Sequence, residues 1–229
     1  MIELISDLIL FCKKPFTTVN DKVLLFKTKL LHMLLLLTLN FILIFPFFCF
    51  LFINKNYIPA NTYTHTSTET KIFFSLIFAP IIEEIVFRFP LQKAKWSYYF
   101  LICIFFVCTV LLLNKTIIYF DITIFVIILI LMLVFKFMDL PEKLVKFWHN
   151  NYTYLFYFIT LIFGAIHLTN FSLYPLDNLW ILPVLFIPQT ICGFLFGYIR
   201  LKYGMIWCIL QHSLYNTVVF CIDNFTTLF

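Results

Sequence analysis

Long uninterrupted apolar segments constrain this chain more than any other feature of its sequence. Seven of them are long enough to cross the ~30 Å hydrocarbon core of a bilayer as helices: 30–53, 72–92, 96–113, 117–135, 152–171, 179–199 and 204–222. Only 12% of the 229 residues are charged, about half of the roughly 25% that is typical of a soluble domain. This composition excludes an ordinary soluble enzyme, a disordered chain and a nucleic-acid-binding module.

The apolar segments also predict the fold class and its orientation. None alternates as a barrel strand would, so they predict an all-α polytopic transmembrane bundle of about seven spans. With a cytoplasmic N-terminus, the cytoplasmic segments hold twelve Lys and Arg residues and the opposite segments three, as the positive-inside rule requires. The net charge of +5 therefore needs no acidic partner to explain it.

The N-terminal residues predict how the chain begins, and the ratio of Lys to Arg indicates the type of membrane. Glu3 and Asp7 interrupt the first apolar stretch, so we expect a short interfacial helix there and no cleavable signal peptide. Fourteen Lys against two Arg, with abundant Ile, Asn and Phe, suggest a low-GC genome. This bias favours a bacterial plasma membrane.

Few charged residues lie inside the predicted spans, where each costs roughly 2.5–3.5 kcal/mol on insertion scales. Asp121 is close enough to a span end to stay hydrated. Glu84 and Arg88 are four residues apart and predict an ion pair on one helix face, whereas Glu83 points about 100° away and has no local partner. A paired acid beside an unpaired one suits a structural anchor and a general base.

Proline and glycine predict irregular backbone and close packing around these acids. Pro80 removes a helical hydrogen bond just before them, and Pro90 follows just after. Gly193 and Gly197 form a GxxxG pair, which lets two helices approach closely.

Two other spans carry intramembrane polar residues. His167 lies in one, while His212 and Asn216 are four residues apart in the last span and share a helix face. Two Glu, two His and an Asn would be costly to bury separately, so the most favourable arrangement gathers them around one hydrated cavity. Intramembrane ionisable groups are functional candidates by default.

These residues support two chemical routes to hydrolysis of an amide or peptide bond. Glu83 with His167 can deprotonate water, while His212 with Asn216 can stabilise the oxyanion that forms when water attacks a carbonyl. Alternatively, Glu83, His167 and His212 can hold a divalent ion such as Zn²⁺ that activates the water. The sequence contains no HExxH motif, and it leaves both routes open.

Three motifs at these positions resemble a known family. Residues 83–88 read EEIVFR and match EExxxR, residues 163–167 read FGAIH and match FxxxH, and residues 212–216 read HSLYN and match HxxxN. Together and in this order they resemble the CAAX protease and bacteriocin-processing (CPBP, or Abi) family of intramembrane endopeptidases, which includes the type II CAAX prenyl proteases.

The resemblance implies a helical membrane protease with a water-filled cavity, and it covers roughly residues 70–220. In it, Glu83 and His167 would activate water, His212 and Asn216 would form the oxyanion hole, and the remaining acid and arginine would support the site. The family has been described both as metalloproteases and as metal-independent glutamate proteases, so a requirement for Zn²⁺ stays open.

The resemblance also sets the expected domains and partners. We expect residues 1–69 to hold the interfacial segment, the first transmembrane helix and an external loop, and residues 70–222 to form the protease domain. The expected partners are a peptide or protein substrate in or at the membrane and the lipid bilayer, with no nucleic acid.

Two alternatives and one difficulty accompany this interpretation. A non-catalytic scaffold or bacteriocin-immunity protein would be expected to lose a catalytic position, and many proton-coupled transporters show two related halves, which this sequence lacks.

The difficulty concerns depth in the membrane, because the span bounds put His167 nearer the external face than Glu83. Either its helix extends past Phe171 toward Pro175, or tilt brings the two residues level.

Overall fold

The computed structural model describes residues 2–15, 24–54, 57–58, 67–88, 91, 142–171 and 176–226. This part of the chain is helical and contains no β-strand. Its helices are α1 (Ile2–Lys13), α2 (Phe26–Ile53), α3 (Thr68–Ile72), a π-helix (Phe73–Phe78), α4 (Ala79–Arg88), α5 (Glu142–Asn150), α6 (Tyr152–Ile166), two 3₁₀ helices (His167–Asn170 and Leu176–Ile181), α7 (Leu182–Tyr203) and α8 (Met205–Thr226).

Four helical segments in the described ranges are long and apolar enough to cross a membrane. They are Phe26–Ile53, Tyr152–Asn170, Leu179–Tyr203 and Met205–Ile222, and they correspond to four of the predicted spans. The all-α membrane fold is therefore confirmed.

The three other predicted spans have different outcomes. The region of the predicted span 72–92 is helical from Thr68 to Arg88. This stretch contains five charged residues and is not among the helices that are apolar enough to cross a membrane. The spans 96–113 and 117–135, with Asp121 and Pro90, lie outside the described residues. The total of seven spans therefore stays a prediction.

Helix α7 lies at the centre of the bundle and packs against α2, α6 and α8. Its contact with α6 depends on the predicted glycine pair. A Cβ atom built on Gly193 would lie 2.7 Å from the ring of Phe163, and one built on Gly197 would lie 2.7 Å from the ring of Phe156. Since real Cβ atoms do not approach other atoms so closely, the GxxxG pair allows α6 and α7 to pack, as predicted.

The ends of α2 and α7 agree with the predicted topology. At the end assigned to the cytoplasm, His32 Nδ1 lies 2.7 Å from the hydroxyl of Tyr203. At the opposite end, the ring of Tyr57 in the predicted external loop packs on Trp180 at 5.4 Å between centroids. The residues of each predicted side therefore come together at the same end of the bundle.

The N-terminal segment forms the short helix expected from its sequence. One face of α1 is buried through Leu4 and Phe11, while Ile5 and Ile9 are exposed, as suits a helix lying on a membrane surface. Asp7 in the middle of α1 pairs with Lys202 at the end of α7. Helix α1 is thus attached to the end of the bundle that the sequence assigns to the cytoplasm.

Candidate active site

A break in helical register precedes the two acids, as Pro80 predicted. The backbone from Phe73 to Phe78 is a π-helix, and regular α-helix resumes at Ala79 and continues to Arg88. Such π segments occur mostly as single turns inside α-helices, frequently at functional sites. Both acids therefore lie on the first two turns of α4, directly after the irregular segment.

Glu84 is fully buried and is bound by three side chains. Its Oε2 atom lies 3.5 Å from Arg88 Nε, so the predicted ion pair is confirmed. Its Oε1 atom lies 2.9 Å from His212 Nδ1, and Cys208 Sγ lies 2.8 Å from Oε2. A carboxylate without exposed surface needs such partners, because an unpaired buried charge is strongly unfavourable.

Arg88 links three of the helices that form the site. Its Nη2 atom donates to the carbonyl of Gly193 at 3.1 Å, and its guanidinium lies over the ring of Phe163 with 3.9 Å between Cζ and the ring centroid. Its own carbonyl accepts a hydrogen bond from Arg200 Nε at 3.2 Å. Arg88 therefore fixes α4 against α6 and α7 through one cation, as a planar guanidinium can.

Glu83 faces away from the buried pair and toward two imidazole rings. Its Oε2 atom lies 3.6 Å from His167 Nε2 and 3.8 Å from His212 Nε2. The same oxygen is buried and makes no direct hydrogen bond, although 26% of the side chain is exposed. A water molecule can bridge polar groups at such distances, so Glu83 faces a centre that can accept one.

A second break in register orients His167. Helix α6 ends at Ile166, and the backbone N–H of His167 donates to the carbonyls of Gly164 and Ala165, not to Phe163 four residues back. The Phe163 carbonyl instead accepts from His167 Nδ1 at 2.7 Å. Because a carbonyl only accepts, Nδ1 carries the proton, and the lone pair of a neutral His167 is on Nε2, facing Glu83.

His212 has different surroundings. Its ring stacks on Phe196 at 4.6 Å between centroids, and its Nδ1 atom donates to the Glu84 carboxylate. A carboxylate thus orients the ring of His212, whereas a backbone carbonyl orients that of His167. The two imidazoles therefore approach Glu83 with their Nε2 atoms but differ in what binds Nδ1.

Asn216 lies one turn further along α8 than His212. Its Nδ2 atom donates to the carbonyl of Ser75 at 2.8 Å, so the amide bridges α8 and the π-helix. Of the six candidates from the sequence, Glu83, Glu84, Arg88, His167 and His212 form one connected cluster, and Asn216 is held beside it by the π-helix.

Glu83 and His167 lie close together, although the predicted span bounds place them at different depths in the membrane. The α-helical part of α6 ends at Ile166 and the 3₁₀ turn at Asn170, so the helix does not extend past Phe171. The explanation that required a longer helix is therefore wrong, and the two side chains nevertheless lie 3.6 Å apart.

The donor types of Glu83, His167 and His212 suit zinc, and the hydrogen bonds on both Nδ1 atoms resemble those of metal-bound imidazoles. Glu83 Oε2 lies 3.6 and 3.8 Å from the two Nε2 atoms, a few tenths of an ångström more than the roughly 3.3 Å between tetrahedral zinc ligands at ~2.0–2.1 Å from the metal. No group of three or more His, Cys, Asp and Glu side chains in the described ranges is arranged to hold a metal ion.

Sequence reasoning missed three contributors to this site. A cysteine in an apolar segment ordinarily acts as a small hydrophobic residue, but Cys208 contacts Glu84 directly. It lies four residues before His212, so its position on the same helix face was a signal available in the sequence. The Ser75 carbonyl and the Phe196 ring had no such signal, because backbone groups and stacking partners depend on which helices become neighbours.

Fold and site together define a class: a multi-helix membrane protein with two acids and two imidazoles gathered between its helices. The family model described as Type II CAAX prenyl endopeptidase Rce1-like matches residues 66–218. This range covers well over half of the chain and includes all three motifs, and the chain belongs to this family of CAAX-type membrane proteases. No match was found among curated proteins or among solved structures.

Proposed function

We propose that this chain hydrolyses a peptide bond in a membrane-associated or lipidated substrate. Glu83 and His167 would activate water, and His212 and Asn216 would bind the oxyanion. The observation that carries the proposal is the approach of Glu83 Oε2 to the Nε2 atoms of both imidazoles, at 3.6 and 3.8 Å. The proposed site of the attacking water is beside Glu83 Oε2, on the side that faces both imidazoles.

The different surroundings of the imidazoles support different roles for them. His167, whose Nδ1 proton is donated to a carbonyl, presents a lone pair at Nε2 and can accept a hydrogen bond from water. His212, whose Nδ1 proton is donated to Glu84, turns its Nε2 atom toward the same centre, from which a protonated Nε2 would donate to an oxyanion. A base that accepts from water and a donor to an oxyanion are the two groups that amide hydrolysis requires.

The proposed reaction proceeds in two balanced steps. In the first, the Glu83 carboxylate takes a proton from water while the resulting hydroxide attacks the scissile carbonyl carbon, and the oxyanion accepts hydrogen bonds from His212 Nε2 and Asn216 Nδ2. In the second, the C–N bond breaks and the proton on Glu83 moves to the leaving nitrogen. The products are a new carboxyl terminus and a free amine, and Glu83 returns to its ionised form.

Glu84 and Arg88 are positioning residues in this mechanism. Glu84 holds His212 by its Nδ1 atom, and Arg88 holds Glu84 while compensating its charge. Neither needs to touch the substrate. Their contribution is therefore expected to act through the position of His212.

The substrate class follows from the location of the cluster and from the family. His167, His212 and Asn216 lie on segments long and apolar enough to cross the bilayer, and Glu83 packs against the two histidines, so a substrate must reach the cluster from the membrane or its surface. We propose a peptide anchored by a lipid or by its own apolar segment. The scaffold and transporter alternatives predict no new peptide termini.

The first prediction concerns Glu83 and His167. We expect purified wild-type protein in lipid nanodiscs to cleave a farnesylated C-terminal peptide or a membrane-embedded peptide. Glu83→Gln and His167→Ala should each lower kcat/KM by about 10²–10⁴-fold, the range for loss of a general base. Mass spectrometry of the products identifies the bond that is cleaved.

Glu69→Gln is the matched control, because Glu69 is an exposed acid on α3 in the same helical stretch. Thermal unfolding of each variant separates loss of chemistry from loss of fold. Cells that express the wild type are compared with cells that express Glu83→Gln, and new peptide termini are identified by mass spectrometry. This search covers substrates other than the two test peptides. Full activity of Glu83→Gln would contradict the mechanism, and no Glu83-dependent termini would contradict the protease assignment.

The same assay addresses the metal question. Glu83, His167 and His212 would be the ligands of a Zn²⁺ ion, which when bound would lower the pKa of its water to about 7. Cleavage measured after incubation with a strong chelator, with and without added Zn²⁺, separates this chemistry from the one written above. Metal content of the purified protein is the second readout.

A further inference from the structure

The π-helix leaves one carbonyl without its usual helical donor. In an α-helix the Ser75 carbonyl would accept from the N–H of Ala79, and in π register it would accept from the residue at position 80. The Ala79 N–H donates instead to the carbonyl of Phe74. Residue 80 is proline, which has no N–H. Neither helical donor is therefore available to Ser75.

Asn216 occupies this acceptor, with 2.8 Å between its Nδ2 atom and the Ser75 oxygen. A primary amide has two N–H groups at one end and an oxygen at the other. Because a carbonyl can only accept, the contact determines which end of the amide faces the π-helix. The second N–H of Nδ2 stays available for another acceptor.

We propose that Pro80 is a positioning residue for the oxyanion hole. By withholding a backbone N–H, it keeps the Ser75 carbonyl free to orient Asn216, so that the amide presents an N–H and not its oxygen to the substrate. This inference rests on the proposed oxyanion role of Asn216. It assigns a function in catalysis to a proline that touches neither substrate nor water.

The consequence of replacing Pro80 can be worked out from the backbone. Alanine restores an N–H that can donate to Ser75 in π register, or it lets the segment return to α register, in which Ala79 donates to Ser75. In either case a backbone N–H competes with Asn216 for the Ser75 oxygen, which has two lone pairs, and the amide is held in one orientation less firmly. Preorganised donors act on the transition state, so kcat falls while KM stays nearly constant.

Stability should not fall with activity. Proline inside a helix removes a hydrogen bond and clashes with the preceding turn, and Pro80→Ala relieves both. We expect Pro80→Ala to melt at the same temperature as the wild type or higher, with kcat lowered by about tenfold. That loss is smaller than the 10²–10³-fold cost of removing an oxyanion donor, because a rotating amide still donates part of the time.

The test is a double-mutant cycle on the full chain in nanodiscs with the cleaved peptide. Pro80→Ala, Asn216→Ala and the double variant are compared, with Pro80→Gly as a second substitution that restores the same N–H. We expect the double variant to be no less active than Asn216→Ala alone, since interacting residues are not additive. Pro46→Ala, at an exposed proline inside α2, is the matched control and should keep wild-type kcat.

Three results would overturn the inference. One is wild-type or higher kcat in both Pro80 variants, and another is a loss in the double variant equal to the product of the single losses. The third is full activity in Asn216→Ala, which would also remove the oxyanion role proposed for that residue. Loss of activity in Asn216→Ala and Glu83→Gln, with independent Pro80 effects, would overturn this inference alone.

Discussion

At the scale of single residues, Glu84 shows how a carboxylate is kept inside a membrane protein. Its two oxygens are bound by Arg88 from the same helix and by His212 and Cys208 from α8. Cys208 and Glu84 are fully buried, so water cannot replace a lost donor. A buried acceptor left without its donor costs about 1–3 kcal/mol, and more when it is charged.

The thiol of Cys208 is therefore expected to matter for activity. Cys208→Ala removes one donor from Glu84 and should lower both thermal stability and kcat, because Glu84 sets the state of His212. Cys208→Ser retains a donor and should restore most of kcat. Steady-state cleavage and thermal unfolding of the two variants measure these effects.

Cys192 is the matched control, since it is equally buried but contacts Asn40 and not Glu84. Cys192→Ala should lower stability with little change in kcat. Equal kcat losses in Cys192→Ala and Cys208→Ala would mean that the thiol acts through packing alone. Such a result would remove Cys208 from the positioning residues.

At the scale of helices, two changes of register hold the site together. The 3₁₀ turn after α6 releases the Phe163 carbonyl to His167, and the π-helix before α4 releases the Ser75 carbonyl to Asn216. Regular α-helices would have used both carbonyls internally. Irregular backbone is tolerated at membrane depth where other groups of the protein satisfy it.

The packing of α6 on α7 is expected to be sensitive at Gly197. A Cβ atom there would lie 2.7 and 2.8 Å from two ring atoms of Phe156, a fully buried side chain that also packs on Phe11. Gly197→Ala should therefore destabilise the protein by about 1–3 kcal/mol, as overpacking does. Thermal unfolding in detergent measures the change.

Phe156→Leu provides the test of this cause. Leucine lacks the ring atoms that the new Cβ would meet, so adding Phe156→Leu to Gly197→Ala should recover part of the lost stability. A Gly197→Ala variant as stable as the wild type would show that the helices can separate without cost. The close approach of α6 and α7 would then not depend on glycine.

At the scale of the whole molecule, helices α1 and α2 belong to the same packed unit as the site. Both lie before residue 66, where the family match begins. Asn40 of α2 is nevertheless fully buried and lies within 3.5 Å of the Cys192 thiol, and Phe41 stacks on Tyr215. The buried polar contact fixes α2 against the helices that carry the site.

Helix α1 is expected to depend on Asp7 for its attachment. Asp7 accepts from Lys202 and from the Tyr198 hydroxyl. The two charged groups are largely buried and Tyr198 is fully buried, which strengthens charged contacts. Asp7→Asn should loosen α1 without unfolding the bundle. We expect hydrogen exchange in α1 to rise by about tenfold, equivalent to ~1.4 kcal/mol, while α7 stays protected.

Glu3→Gln is the control for charge alone, because Glu3 is an exposed acid on the same helix. Its exchange should match the wild type. Unchanged exchange in Asp7→Asn would mean that the apolar contacts of Phe11 and Leu4, with the hydrogen bond from Tyr157 to the Cys12 carbonyl, hold α1 without Asp7. The polar cluster would then have no part in closing that end of the bundle.

Much of the fold could be predicted because membrane helices are recognisable in a sequence as long apolar segments. The apolar length of a span and the i,i+4 spacing of Glu84 and Arg88 are local properties, and the structure confirmed both. The prediction that Glu83 has no local partner also held, since its neighbours come from α6 and α8. The relative depth of Glu83 and His167 was harder to predict, because the bounds of a span do not give the tilt of its helix.

The sequence by itself determined the class of fold, the six candidate residues and the irregular backbone before the acids, because each depends on composition or on spacing within one helix. Only the tertiary structure decided that Glu84, not Glu83, binds His212 Nδ1, and that freed carbonyls orient His167 and Asn216. Those outcomes depend on which helices become neighbours and which backbone groups their register leaves unpaired. A hydrogen bond between two helices follows no fixed residue spacing, so it cannot be predicted from the sequence alone.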